Sequence, residues 1–176
     1  DEVAPTVGRL VLCDAASNVR ASLARRFAHA PNIEVRAPED IAALPPASVD
    51  FIFIVSVAQY VSAEDLDALL TQFRRLLKST GRLVIADVVP RSVSPLVDAA
   101  ELLRLARANG FLAAALAGLA RTALSDYRKL RQRVGLSFYD EAAMRAKLAR
   151  AGYSAVRAPK NIGHNQNRMT FIATPI

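Results

Sequence analysis

Chemistry in this sequence gathers where apolar runs stop. In "RLVLCDAA", residues 9–16, four apolar residues end in Asp14 and small residues follow. A carboxylate at the end of a covered strand can accept two hydrogen bonds from the vicinal hydroxyls of a sugar, and Ala15 beside it can lie against a flat ring. Asp14 can equally cap the helix that follows, a role that stabilises by about 1 kcal/mol. The other run ends are Pro38 to Ile41, Ser56 to Tyr60, and Asp87 to Pro90. His164, in "NIGHNQNRMTF", stands beside Asn165 and Gln166 and is a side chain that titrates near neutrality. It is a candidate base, and equally a turn histidine bonded to backbone. Tyr139 is another candidate pocket residue, whereas His29 follows a helix and reads as structural. Cys13, the one cysteine, lies inside an apolar run and reads as a small core residue.

The elements that must hold these residues alternate between strand and helix. "RLVLCD" reads as a strand covered on both faces. In "SNVRASLARRFAH", Val19, Leu23 and Phe27 recur at helical spacing, with Ser17 as the cap. "IEVRA" reads as a short strand and "VDFIFIVSV" as a buried one. "SAED" opens a helix with Ser62 and Asp65 as a capping box, Leu66, Leu69, Leu70, Phe73, Leu76 and Leu77 form its apolar face, and Gly81 is expected to end it in a left-handed cap. "RLVIADVV" is the next buried strand, closed by Pro90. This order predicts an α/β fold with a doubly wound, mostly parallel sheet. From Val93 to Val134 the pattern is helical, broken at Gly110 and near Ser125. A helix opened by Asp140 and closed by Gly152 follows. "YSAVRAP" and "RMTFIAT" predict an antiparallel C-terminal strand pair.

The 176 residues, 52% of them hydrophobic, suffice for one domain with a sizeable core. The net charge of +7 would suit an anionic partner, but the basic residues are dispersed and no RNA-binding aromatic motif accompanies them. Nucleic acid is therefore not the expected partner. A single cysteine allows no internal disulfide and fits a reducing compartment, so a cytoplasmic setting is expected. No signal peptide is visible, and the apolar stretch Phe111–Leu119 is too short to span a bilayer. No metal site is expected.

Three pieces taken together resemble the class I S-adenosylmethionine-dependent methyltransferases, over roughly Arg9 to Pro90. The acid-ended "LVLCDAA" matches that family's second strand. "PEDIAALPPASVDFIFIVSVAQYV" resembles its Asp, Leu-Pro, Asp, buried-strand segment. "LLTQFRRLLKSTGRLVIADVVP" resembles its helix, Gly turn and fifth strand. The resemblance implies S-adenosylmethionine as cofactor and a Rossmann-like fold. It implies that Asp14 binds the ribose hydroxyls and Ala15 borders the adenine. Asp40 would accept the adenine amino group, with the Ile41 N–H reaching a ring nitrogen. Ser56 and Val57 would line the methionine end, and Gln59 and Tyr60 would face the transferred methyl. Tyr60 and His164 are the catalytic candidates, because an oxygen or carbon nucleophile calls for a base.

The family's Gly-rich loop after the first strand is not found. "DEVAPTVG" reads as the tail of the helix that follows that loop, so the chain is expected to lack its first βα unit, on the order of 30 residues. The helical insertion, residues 90–137, resembles a lid over a small, apolar substrate. A homodimer surface is the second reading of it, and contact with a membrane surface the third. Competing readings of the whole are a methyltransferase-like scaffold without catalysis, a nucleic-acid methyltransferase, and a NAD-type dehydrogenase. The strand ending in "SVAQY" lacks the Asn/Asp-Pro-Pro-aromatic signature of amino-directed nucleic-acid enzymes, and the dehydrogenase glycine fingerprint is absent too.

Overall fold

The computed structural model describes residues 3–124 and 137–176. The chain divides into two compact units, Asp1–Pro45 and Pro46–Ile176.

In the first unit, strand β1 (Leu10–Cys13) pairs in parallel with β2 (Ile33–Arg36), in the register Leu10 to Ile33 and Cys13 to Arg36. Helix α1 (Ser17–Arg26) connects them. Arg9 and Arg36 flank Glu34 at 2.7 and 2.8 Å. Hydrogen bonds from Arg9 and then Arg36 bring its carboxyl down to about 2. Two sequence expectations fail here. Ser17 is not the cap: Ala16 occupies that position, and its N–H donates to Asp14 Oδ1 at 2.8 Å. Cys13 is exposed rather than buried, because no residue of β1 is fully covered.

In the second unit, β3 (Val49–Val55), helix α2 (Ala63–Leu76) and β4 (Leu77–Val88) form a parallel strand–helix–strand. Helices α3 (Pro95–Ala108) and α4 (Leu112–Leu124) follow, then α5 (Glu141–Arg150), β5 (Tyr153–Arg157) and β6 (Met169–Pro175). The strand order is β3-β4-β6-β5, with β6 antiparallel to both neighbours. Helices α3 and α4 of the expected insertion and the antiparallel C-terminal pair are thus present, while the expected break near Ser125 lies outside the described residues. The core joins Leu66, Leu70 and Phe73 of α2, Leu83 and Ile85 of β4, Met144 and Leu148 of α5, and Tyr153 and Phe171. Fully burying each such side chain stabilises by roughly 1.5–3 kcal/mol.

Ser62 caps α2 as expected, accepting from the Asp65 N–H at 3.0 Å. Asp140 caps α5 in the same way, with the Ala143 N–H at 2.8 Å. Gly81, however, does not cap a helix. α2 ends at Leu76, and Gly81 lies inside β4, where a Cβ would approach Leu77 Cδ2 and the Lys78 carbonyl to 2.9 Å. The glycine serves a bulge, since Val49 opposes Leu77 but Phe51 opposes Arg82. β3 also departs from expectation. Ile52 and Ile54 pack on the core, while Phe51, Phe53 and Val55 are 55%, 47% and 40% exposed. Among the described residues β3 pairs only with β4, so it is an edge strand.

Candidate functional site

The chemical groups of the first unit collect at the carboxyl ends of its two parallel strands. Asp14 follows β1 and is half-buried; Asp40 and Ile41 lie in a 3-10 turn, Pro38–Ala43, that follows β2. Asp14 Oδ1 accepts from the Ala16 N–H in an Asx turn ahead of α1, whose N-cap Ala16 has no side-chain cap, so Asp14 does not cap the helix; its Oδ2 has no partner among the described residues. Arg20 Nη1 donates to the Asp14 and Ala15 carbonyls at 2.8 and 2.7 Å and holds this corner in shape. Ala15 is exposed beside it. Asp40 Oδ2 accepts from the Ala37 N–H at 3.2 Å, which closes the turn and leaves the carboxylate exposed. Burial, then Asp14, raise the Cys13 thiol; Arg20 opposes them, and Glu39 and Asp40 add to the rise, so these acids share one neighbourhood.

The second unit holds a denser polar cluster at the ends of β3 and β4. Ser56 and Asp87 both adopt left-handed backbone, with φ of 55° and 66°. For residues other than glycine this costs on the order of 1–3 kcal/mol each, and surrounding bonds must hold it. Those bonds are present. Ser56 Oγ donates to Asp87 Oδ2 at 2.7 Å, and Asn161 Nδ2 donates to Asp87 Oδ1 at 2.7 Å. The Asp87 N–H returns a bond to Asn161 Oδ1 at 3.2 Å. Arg168 bridges two acids, reaching Asp87 Oδ2 and Asp98 Oδ2, each at 2.9 Å. Asn165 Nδ2 adds a bond to Asp98 at 2.7 Å, which ties α3 to the loop between β5 and β6. A Cβ on Gly163 would collide with Asp87 Oδ1, so the loop closes on the acid only because that residue is glycine.

The expected site residues of this unit separate into two sets. Val57 is half-buried after Ser56, and Gln59 is buried in the 3-10 turn Ala58–Tyr60. The Ser137 N–H donates to the Gln59 carbonyl at 3.0 Å and the Tyr139 N–H to the Val89 carbonyl at 3.0 Å, which draws residues 137–139 across both strand ends. Gln59 Oε1 and Tyr139 Oη are buried without a hydrogen-bond partner among the described residues. Tyr60 and His164 are exposed. The polar centre of the β5–β6 loop is instead Asn161, Asn165 and Arg168, which the sequence reading did not assign. The signal was present as an Asn-rich link ending in Arg, but its partners Asp87 and Asp98 lie more than sixty positions away.

A family described as a methyltransferase domain matches residues 1–85. No curated protein matches the sequence. Among solved structures, a Bordetella parapertussis protein titled a possible exported protein is 18% identical, with a TM-score of 0.59 over 95% of this chain and 53% of its own. The CurJ carbon methyltransferase is 16% identical, with a TM-score of 0.61 over 98% of this chain and 44% of its own. The magnesium protoporphyrin IX methyltransferase of Synechocystis PCC 6803, with bound S-adenosylhomocysteine, is 15% identical, with a TM-score of 0.57 over 99% of this chain and 68% of its own. The chain spans about half the length of the first two of these structures.

Proposed function

We propose that this chain, whose residues 1–85 match a family described as a methyltransferase domain, takes part in moving a methyl group from S-adenosylmethionine to a small, apolar molecule. The observation that carries this reading is Asp14: a half-buried carboxylate at the carboxyl end of a parallel strand, with one oxygen used locally and the other free. A ribose diol needs acceptors of that kind, so the residues present fit the cofactor. S-adenosylmethionine, when bound, supplies an electrophilic methyl on a sulfonium.

In the first unit Asp14 accepts from the ribose hydroxyls and Ala15 borders the adenine. Asp40 accepts from the adenine amino group and the Ile41 N–H donates to the ring. In the second unit a bond to Asp87 holds Ser56, next to Val57, at the carboxyl end of β3, the position to which the family resemblance gives the methionine end. Gln59 orients the acceptor, because its unpartnered carbonyl oxygen is a buried hydrogen-bond acceptor that gains by finding a donor. Tyr60 and His164, both exposed, are the groups left to hold or accept a proton. Helices α3 and α4 supply an apolar cover for the substrate, α3 being tied to the β4 end through Asp98 and Arg168.

The test is calorimetric titration of the natural full-length protein with S-adenosylhomocysteine and, separately, NAD. Binding of the first and no heat with the second supports the reading. Heat with NAD alone would assign the site to a dehydrogenase.

A further inference from the structure

α4 carries an apolar surface that the described residues leave uncovered. Its sequence, LAAALAGLARTAL, has one charged residue, Arg121, and no acid. A helix apolar on all sides belongs in a core or at an apolar boundary. Yet over its residues 112–122 α4 buries only Ala115 and half-buries Leu119, and it packs on α3. Leu112, Ala113, Leu116, Ala117 and Ala120 face outward, with Leu112 37% and Leu116 51% exposed. At helical spacing these five positions cover about 140° of the helix surface. Phe111, 40% exposed, stands at the entry.

In the sequence, every charged residue from 102 to 125 is basic: Arg104, Arg107 and Arg121. Arg104 is paired with Glu101 at 2.7 Å, while Arg107 and Arg121 have no carboxylate partner among the described residues. In a two-fold contact a second copy would bring the same arginines, Arg107 and Arg121, to the face. A surface that is both apolar and negative offers what the face lacks. Among the described residues no helix is long and apolar enough to cross a membrane. We propose that the outward face of α4 rests on an anionic lipid surface, with Leu112 and Leu116 among the acyl chains and Arg107 and Arg121 supplying the attraction to headgroups. This goes beyond methyl transfer and does not depend on it.

Vesicle flotation tests it, with the natural protein, phosphatidylcholine vesicles, and vesicles that also contain phosphatidylglycerol. The protein floats with the anionic vesicles only, and less in high salt. The double variant Leu112→Glu, Leu116→Glu loses binding about tenfold or more, because two anchoring side chains become acids. Both positions are exposed, so its melting temperature stays that of the parent; if it fails to fold, Arg107→Gln, Arg121→Gln replaces it, with loss of anionic binding again expected. Absence of flotation by the parent protein, or flotation undiminished in the folded variant, overturns the proposal. So does a lipid-free dimer, seen by light scattering, that the Leu→Glu variant abolishes, since a second copy would then cover the face.

Discussion

Replacing Arg168 with Met keeps much of the side-chain stem and deletes the guanidinium that joins Asp87 to Asp98. The three side chains are 18%, 10% and 23% exposed, so the charges are largely withdrawn from water. Breaking a buried ion pair costs about 3–5 kcal/mol, because a charge is left stranded. Here the stranding is partial. Asp87 keeps its bonds from Ser56 and Asn161, and Asp98 keeps the one from Asn165. The expected loss is therefore about 2–4 kcal/mol, or roughly 5–15 °C of melting temperature for a chain of this size. Urea unfolding at neutral pH measures it. The pH dependence adds a second readout. Burial pushes the Asp87 carboxyl up, but bonds from Ser56 and Asn161 and the charge of Arg168 outweigh it, so it lies below the ordinary range. A lowered carboxyl stabilises the fold above its unfolded value, near 4, and that contribution fades as acid protonates it. Parent and variant should thus differ most at neutral pH and converge in acid. A variant that loses less than about 1 kcal/mol, or the same amount in acid as at neutrality, would refute the reasoning.

Gly163→Ala should destabilise by about 1–3 kcal/mol in the same urea assay, because the added methyl collides with Asp87 Oδ1. Ala47→Gly should raise stability by roughly 0.5–1 kcal/mol, since Ala47 is exposed and sits at a φ of 50°, where a Cβ is unfavourable. Cys13 should react with a thiol reagent in the folded protein, because it is exposed, and its rate should still be climbing beyond the ordinary thiol range, because burial and Asp14 raise it. A thiol silent until unfolding would contradict the placement of β1.

Local signals survived the comparison between sequence and structure better than distant ones. The Ser62 and Asp140 caps, the break at Gly110 and the C-terminal hairpin all depend on neighbours within a few positions, and all are found. The run "FIFIV" was legible as a strand but not as an edge, because apolar residues alone do not say which face is covered. Gly81 looked like a helix stop because it follows a long amphipathic segment. Its requirement is steric and comes from Leu77 and Lys78 inside a bulge. For the candidate site, the strand-end rule pointed to Asp14, Asp40 and Ser56 but gave no hint that Asp87 and Arg168 would meet. His164 reads as a candidate base in a late loop, whereas that loop turns Asn161, Asn165 and Arg168 inward and leaves the histidine outside. Burial selected the residues that could satisfy two strained carboxyl-end positions, and no spacing in the sequence records that.

The central claim is that Asp14 holds the ribose of the methyl donor, and a crystal structure of the natural protein with S-adenosylhomocysteine tests it most directly. The account predicts both ribose hydroxyls within hydrogen-bond reach of the Asp14 carboxylate. A ribose held by other residues, with Asp14 bonded only to the Ala16 N–H, would contradict it.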